Sequence, residues 1–191
     1  MQVLEQIQRM SPERFLAIYQ SLEQHGFGPL DGEVAKLLKF RPQAIRKLPM
    51  DQRARTARRL LESSHNAQLA YEILGAYLIK HKKGIVTGFL DATGVKHQDG
   101  MIENVDEEKP SVDKLVTALN ELDKQFPPED VTIYLAICAE QWPDVTQLDE
   151  LWRKRAALAG PPDPAGGAAL CSRARSLGGP KPACSAWCSR A

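Results

Sequence analysis

Residues 66–100 read NAQLAYEILGAYLIKHKKGIVTGFLDATGVKHQDG, the longest apolar passage of the chain, and the spacing of its apolar groups decides the fold. Leu69, Ala70, Ile73, Leu74, Ala76, Tyr77, Leu78 and Ile79 cover nearly the whole circumference of a helix, the pattern of a helix buried on most sides. That pattern predicts the centre of the core. Lys80, His81, Lys82 and Lys83 put positive charge where a last turn leaves carbonyls unpaired, and Gly84 followed by Ile85 suits a left-handed cap. Val86, Phe89, Leu90 and Thr93 then repeat at i, i+3, i+4, i+7, with Gly94-Val95 as a second cap, so two helices meeting at Gly84 are expected.

Outward from this centre the same periodicity recurs in short pieces. Val3, Leu4 and Ile7 mark a first helix, and Ser11-Pro12 ends it and caps the next, which holds Phe15, Ile18, Tyr19 and Leu22 up to Gly26-Phe27. Asp31 caps a segment with Val34, Leu37 and Leu38, and Pro42 and Pro49 bracket another with Ile45 and Leu48. Ser64 or Asn66 is placed to cap the central helix. Asp99-Gly100 fits the turn of a short hairpin or an ordered loop. Ser111 caps a helix whose one face is Val112, Leu115, Leu119, Leu122 and Phe126. Val131, Tyr134, Leu135 and Cys138 mark the next helix, and Asp144 with Gln147 forms a capping box before Leu148, Leu151 and Trp152. The expectation is an all-α single-domain bundle of about seven to nine short helices over residues 1–155.

Residues 156–191 break the pattern. Of these 36 residues 27 are Ala, Gly, Pro, Ser or Arg, too few apolar groups to offset the entropy of ordering, and a disordered tail is expected. A shifted reading frame or an extended gene boundary leaves a change of this kind too. Three of the four cysteines, Cys171, Cys184 and Cys188, fall in this tail without the paired spacing or histidine partners of a zinc site.

Composition bounds the rest. No apolar run reaches the length of a membrane span, and the start MQVLEQIQRMS lacks the basic lead and apolar centre of a signal peptide, so a cytoplasmic protein is expected. Lys and Arg against Asp and Glu stand at 15 to 10 in residues 1–102, 3 to 13 in 103–150 and 7 to 1 thereafter, a basic half and an acidic half able to close on each other or on a second copy.

The segment FLDATGVKHQDG, residues 89–100, follows a helix ending in basic residues and precedes VDKLVTALNELDKQF and VTIYLAI. With its FLDA-x-G-x-x-H-x-x-G pattern it resembles an uncharacterised group of bacterial all-helical proteins over roughly residues 60–152. The resemblance implies no activity or partner.

Chemistry-bearing motifs are few. Phosphate loops, nucleophile elbows, H-E-x-x-H and Cys-x-x-Cys are absent, and the glycines of GFGPLDG follow no strand, so they read as a helix–helix turn. Two constellations remain. Over residues 51–63, Ala54, Ala57, Leu60 and Leu61 share one helix face while Arg55, Arg58 and Arg59 cluster opposite, with Arg41, Arg46 and Lys47 just before them. Such a basic stripe suits an acidic protein partner or nucleic-acid phosphates. His81, Asp91, His97, Asp99 and Glu103 are the imidazoles and carboxylates that a turn and a loop bring to one neighbourhood, the donor types of a divalent-metal or acid–base site, although their spacing lacks the i, i+3 or i, i+4 relation of helical metal ligands. The leading expectation is a non-enzymatic protein-interaction module without cofactor, binding a partner or its own copy. A nucleic-acid binder using Arg46, Lys47, Arg55, Arg58 and Arg59 comes second, and a metal-dependent enzyme using His81, His97 and Asp99 third.

Overall fold

Local sequence chemistry sets several of the helix boundaries. Residues 2–25, 32, 35, 36, 41–64 and 66–158 are described by the computed structural model. Among them are nine α-helices and no strand: α1 (Gln2–Arg9), α2 (Pro12–Gln24), α3 (Pro42–Ile45), α4 (Met50–Ser64), α5 (Ala67–His81), α6 (Lys83–Thr93), α7 (Leu115–Gln125), α8 (Pro128–Gln141) and α9 (Thr146–Leu158). Ser11 Oγ accepts from the Arg14 amide and Pro12 takes the first helical position of α2. Asn66 Oδ1 accepts from the Leu69 amide 3.0 Å away and starts α5, which separates it from α4. Gly94, at φ +80°, closes α6 in the left-handed conformation while the Val95 amide reaches the Leu90 carbonyl. The fold is all-α, as the periodicity predicts.

The centre of the core is not α5 but α8. Ten consecutive residues of α8, Asp130 through Ala139, are buried, and α1, α5, α6, α7 and α9 all pack on this helix. Its stretch DVTIYLAICA has no polar face to mark, so counting amphipathic spacing undervalues it. In α5, Leu69, Ala70, Ile73, Leu74, Tyr77 and Leu78 are buried as expected, but Ala76 is half-buried and Ile79 is 48 % exposed.

Four boundaries differ from the sequence reading, each for a physical reason. The α5–α6 junction falls at Lys82, and Gly84 lies inside α6, where a Cβ would stand 2.9 Å from Phe126 Cζ; close approach, not a cap, requires glycine there. Val112 is exposed in a 3-10 turn, Val112–Lys114, that precedes α7, and the Ser111 side chain makes no cap bond. Asp144 is ion-paired with Lys109 instead of capping, and α9 begins at Thr146. The domain's last helix runs past 155 to Leu158 and buries Ala156. Asp99 and Gly100 take φ of 59° and 90° in a two-residue turn closed by a single bridge between Gln98 and Met101, an ordered loop and not a hairpin. The stop at Gly26-Phe27, the segment of Asp31, Val34, Leu37 and Leu38, and the chain beyond Leu158 lie outside the described residues. No helix among the described residues is long and apolar enough to cross a membrane.

Candidate functional site

The arginine stripe of α4 divides on inspection. Ala54, Ala57, Leu60 and Leu61 form its buried face as expected. Arg53, only 6 % exposed, is buried beside them and is ion-paired with Glu23 of α2. Arg58 is half-buried; it pairs with Glu62 at 2.8 Å and donates to the Gln8 carbonyl at 3.1 Å. Arg55 is exposed and paired with Asp51 one turn earlier. Arg59, Arg41, Arg46 and Lys47 are exposed, and Arg46 has contacts of its own. The stripe is therefore partly structural, and Arg59 and Lys47 are exposed with no ion pair among the described residues.

The five imidazoles and carboxylates do not assemble. His97 Nε2 lies 3.1 Å from Asp91 Oδ1, and its Nδ1 accepts from the Gly100 amide at 3.1 Å, so the Nε2–H tautomer fits and the ring braces the loop. Asp99 pairs with Lys83. His81 stacks on Tyr77 and meets the His25 ring edge-on, with centroids 4.4 Å apart. Among the described residues no three His, Cys, Asp or Glu side chains stand together as a metal-holding group.

A polar constellation that spacing did not reveal sits at the start of α8. Asp130 is 1 % exposed; Arg14 and the Tyr77 hydroxyl reach its Oδ1, and Lys82 Nζ lies 3.0 Å from its Oδ2. These groups come from α2, α5, the α5–α6 junction and α8, so no local window contains them. Burial, with Asp130 next in weight, raises the Tyr77 phenol above its ordinary value and keeps it a donor. Every charge here faces another, which marks a clasp between helices. It also shows that part of the basic-to-acidic asymmetry closes inside the domain.

Among the hollows of the described residues is an apolar cavity of about 230 Å³ between α5, α6, α8 and the loop after α6. Tyr71, Gly75, Leu78 and Ile79 come from α5, and Val86 and Leu90 from α6. Tyr134, Ile137 and Gln141 come from α8, and Gly100, Met101, Ile102 and Val105 close the loop side. Two of these apolar side chains face water at the mouth: Ile79 is 48 % exposed and Met101 64 %. Gly75 lines this space, and a Cβ built on it meets no atom within 4 Å. Polar groups are sparse. The Tyr71 hydroxyl lies 3.5 Å from Gln141 Oε1, and Tyr134 lines the cavity wall. Burial pushes the Tyr71 and Tyr134 phenols up, Tyr134 strongly, with Cys138 adding to both, and it pushes the Cys138 thiol up too. All three stay protonated near neutrality, and a buried protonated thiol is a poor nucleophile.

The loop that forms the mouth is fixed in place. Trp142, fully buried, donates from Nε1 to the Val105 and Glu108 carbonyls at 3.2 and 3.0 Å. Lys96 pairs with Glu108 at 3.2 Å, and Lys109 with Asp144. Lys96, His97, Gln98, Glu103, Asn104, Glu107 and Glu108 of this loop line a second, polar hollow.

No protein-family model, curated protein or solved structure matches the chain.

Proposed function

We propose that the protein is a helical protein-binding module of the cytoplasm that takes an apolar side chain of its partner into the cavity between α5, α6 and α8. The observation that supports this reading is the coincidence of Ile79 and Met101, both exposed, with a cavity lined by a mid-helix glycine at which no close contact requires one. A glycine inside a helix costs roughly 1 kcal/mol relative to alanine, so an open space maintained at that cost favours an occupant. A dry cavity of roughly 150 Å³ accepts a benzene ring, and this one, at about 230 Å³, fits a phenylalanine, leucine or methionine side chain better than a drug-sized ligand.

The arginine stripe supports a nucleic-acid reading less well, since Arg53, Arg55 and Arg58 face carboxylates within the domain. A photo-crosslinking residue in place of Met101 tests the proposal in the source cell. A discrete protein adduct from position 101, absent from position 116 on the exposed side of α7, supports it. Equal labelling at both positions, or none at either, rejects it.

A further inference from the structure

We infer that the partner segment is basic: an amphipathic stretch that seats one apolar side chain in the cavity and lays lysines or arginines on the acidic loop at its mouth. This rests on the cavity being the binding site and adds the chemistry of what enters it. One loop serves both surfaces. Ile102 and Val105 line the cavity, while Glu103 and Glu107, interleaved with them in sequence, line a polar hollow formed by the same loop. Two neighbouring carboxylates are already neutralised, Asp99 by Lys83 and Glu108 by Lys96. Glu103, Asp106 and Glu107 are exposed and have no cation at ion-pair distance among the described residues. Three uncompensated carboxylates in five residues, presented on a loop pinned by Trp142, repel an acidic segment and attract a basic one.

Geometry makes the charge selective as well as attractive. Spacing of Ile102, Val105 and the three carboxylates along one short loop requires the partner's cations to flank its apolar anchor within a few residues. A helix does this at i±3 and i±4. Since the carboxylates are exposed, the attraction is screened by salt, whereas seating of the apolar group is not.

Three synthetic fourteen-residue peptides test this, each with one central phenylalanine flanked by lysine, by serine or by glutamate, titrated against the full chain by isothermal calorimetry. The lysine peptide is expected to bind at least tenfold tighter than the glutamate peptide. The triple variant Glu103→Gln, Asp106→Asn, Glu107→Gln is expected to remove that preference, and so is raising salt from 50 to 300 mM. Gly75→Leu, which fills the cavity from a helix position open to a side chain, is expected to abolish binding of every peptide while the protein stays folded by circular dichroism. If the serine and glutamate peptides bind as tightly as the lysine peptide and Gly75→Leu blocks all three, the basic partner is wrong and the cavity reading stands. If the lysine peptide binds Gly75→Leu unchanged, the cavity reading falls. No binding by any peptide at millimolar concentration, or a self-associated protein that Gly75→Leu dissociates, overturns the inference of a basic partner.

Discussion

Tyr77 and Asp130 are joined by a buried hydrogen bond of 3.2 Å that crosses from α5 to α8. Arg14 from α2 donates to the same hydroxyl at 3.0 Å and also reaches the carboxylate, so one oxygen pair ties three helices. Removing the carboxylate leaves Lys82 without this anion and Arg14 with only the exposed Glu129, 3.7 Å away. Asp130→Asn is expected to lower stability by about 2–4 kcal/mol, and Tyr77→Phe by only about 1 kcal/mol, since it removes one neutral donor. Urea unfolding of both variants measures the difference. Equal effects would show that the hydroxyl, not the charge, holds the clasp.

The same distinction between structural and accessible charge applies to α4. Arg53 is buried against Glu23, whereas Arg59 is exposed and unpaired among the described residues. Arg53→Gln is expected to cost about 2 kcal/mol or more and Arg59→Gln less than about 0.5 kcal/mol by chemical denaturation. Comparable costs would return the whole stripe to the surface.

Glycines offer an opposed pair. Gly75 lies in a helix interior with open space at its Cβ position, so Gly75→Ala is expected to raise stability by roughly 0.5–1 kcal/mol. Gly94 sits at φ +80°, and Gly94→Ala is expected to lower it by about 1 kcal/mol. Thermal midpoints moving in opposite directions check both, and a loss at Gly75 would mean that the cavity wall is closed over it.

Helix existence is legible because most of the helices are amphipathic, and two starts, at Ser11 and Asn66, are also capped by a side chain that accepts from an amide three residues on. The centre of the core was not, because a helix buried on all sides, as α8 is, loses the periodicity that amphipathic reading depends on. At Gly84, Gly followed by an apolar residue spells a cap locally, while the close approach comes from Phe126, far along the chain. Asp144 likewise spells a cap with Gln147 locally, while Lys109 takes its charge. The cavity drew on four separate segments, and the only local trace of it was Gly75 within an otherwise apolar helix.

Buried acids of high pKa give the protein an alkaline limit. Burial raises the Tyr71, Tyr77 and Tyr134 phenols above their ordinary 10.0 and the Cys138 thiol above 9.0. In the unfolded chain these groups ionise near pH 9–10, while in the folded protein they stay neutral to higher pH. Above that range the folded state binds more protons than the unfolded one, so this contribution is complete below about pH 9 and declines as pH rises. Melting temperature is expected to fall between pH 9 and 11, and less steeply in Tyr134→Phe, which removes the most strongly raised phenol. Parallel curves for the two proteins would remove Tyr134 from the account.

Trp142 connects core packing to the proposed binding surface. Its ring is fully buried, and its Nε1–H is shared by the Val105 and Glu108 carbonyls, one at the cavity wall and one at the end of the acidic run. Trp142→Phe keeps an aromatic ring in the core but leaves both carbonyls without this donor. The loss is expected to be about 2–3 kcal/mol, part from ring volume and part from the bond. What separates a positioning role from packing is where the protection is lost. Hydrogen exchange in residues 100–108 is expected to accelerate well beyond the change in global stability, and affinity for the lysine-flanked peptide is expected to fall with it. Uniform loss of protection across α8 and the loop would instead make Trp142 a packing residue whose hydrogen bonds do not set the geometry of the mouth.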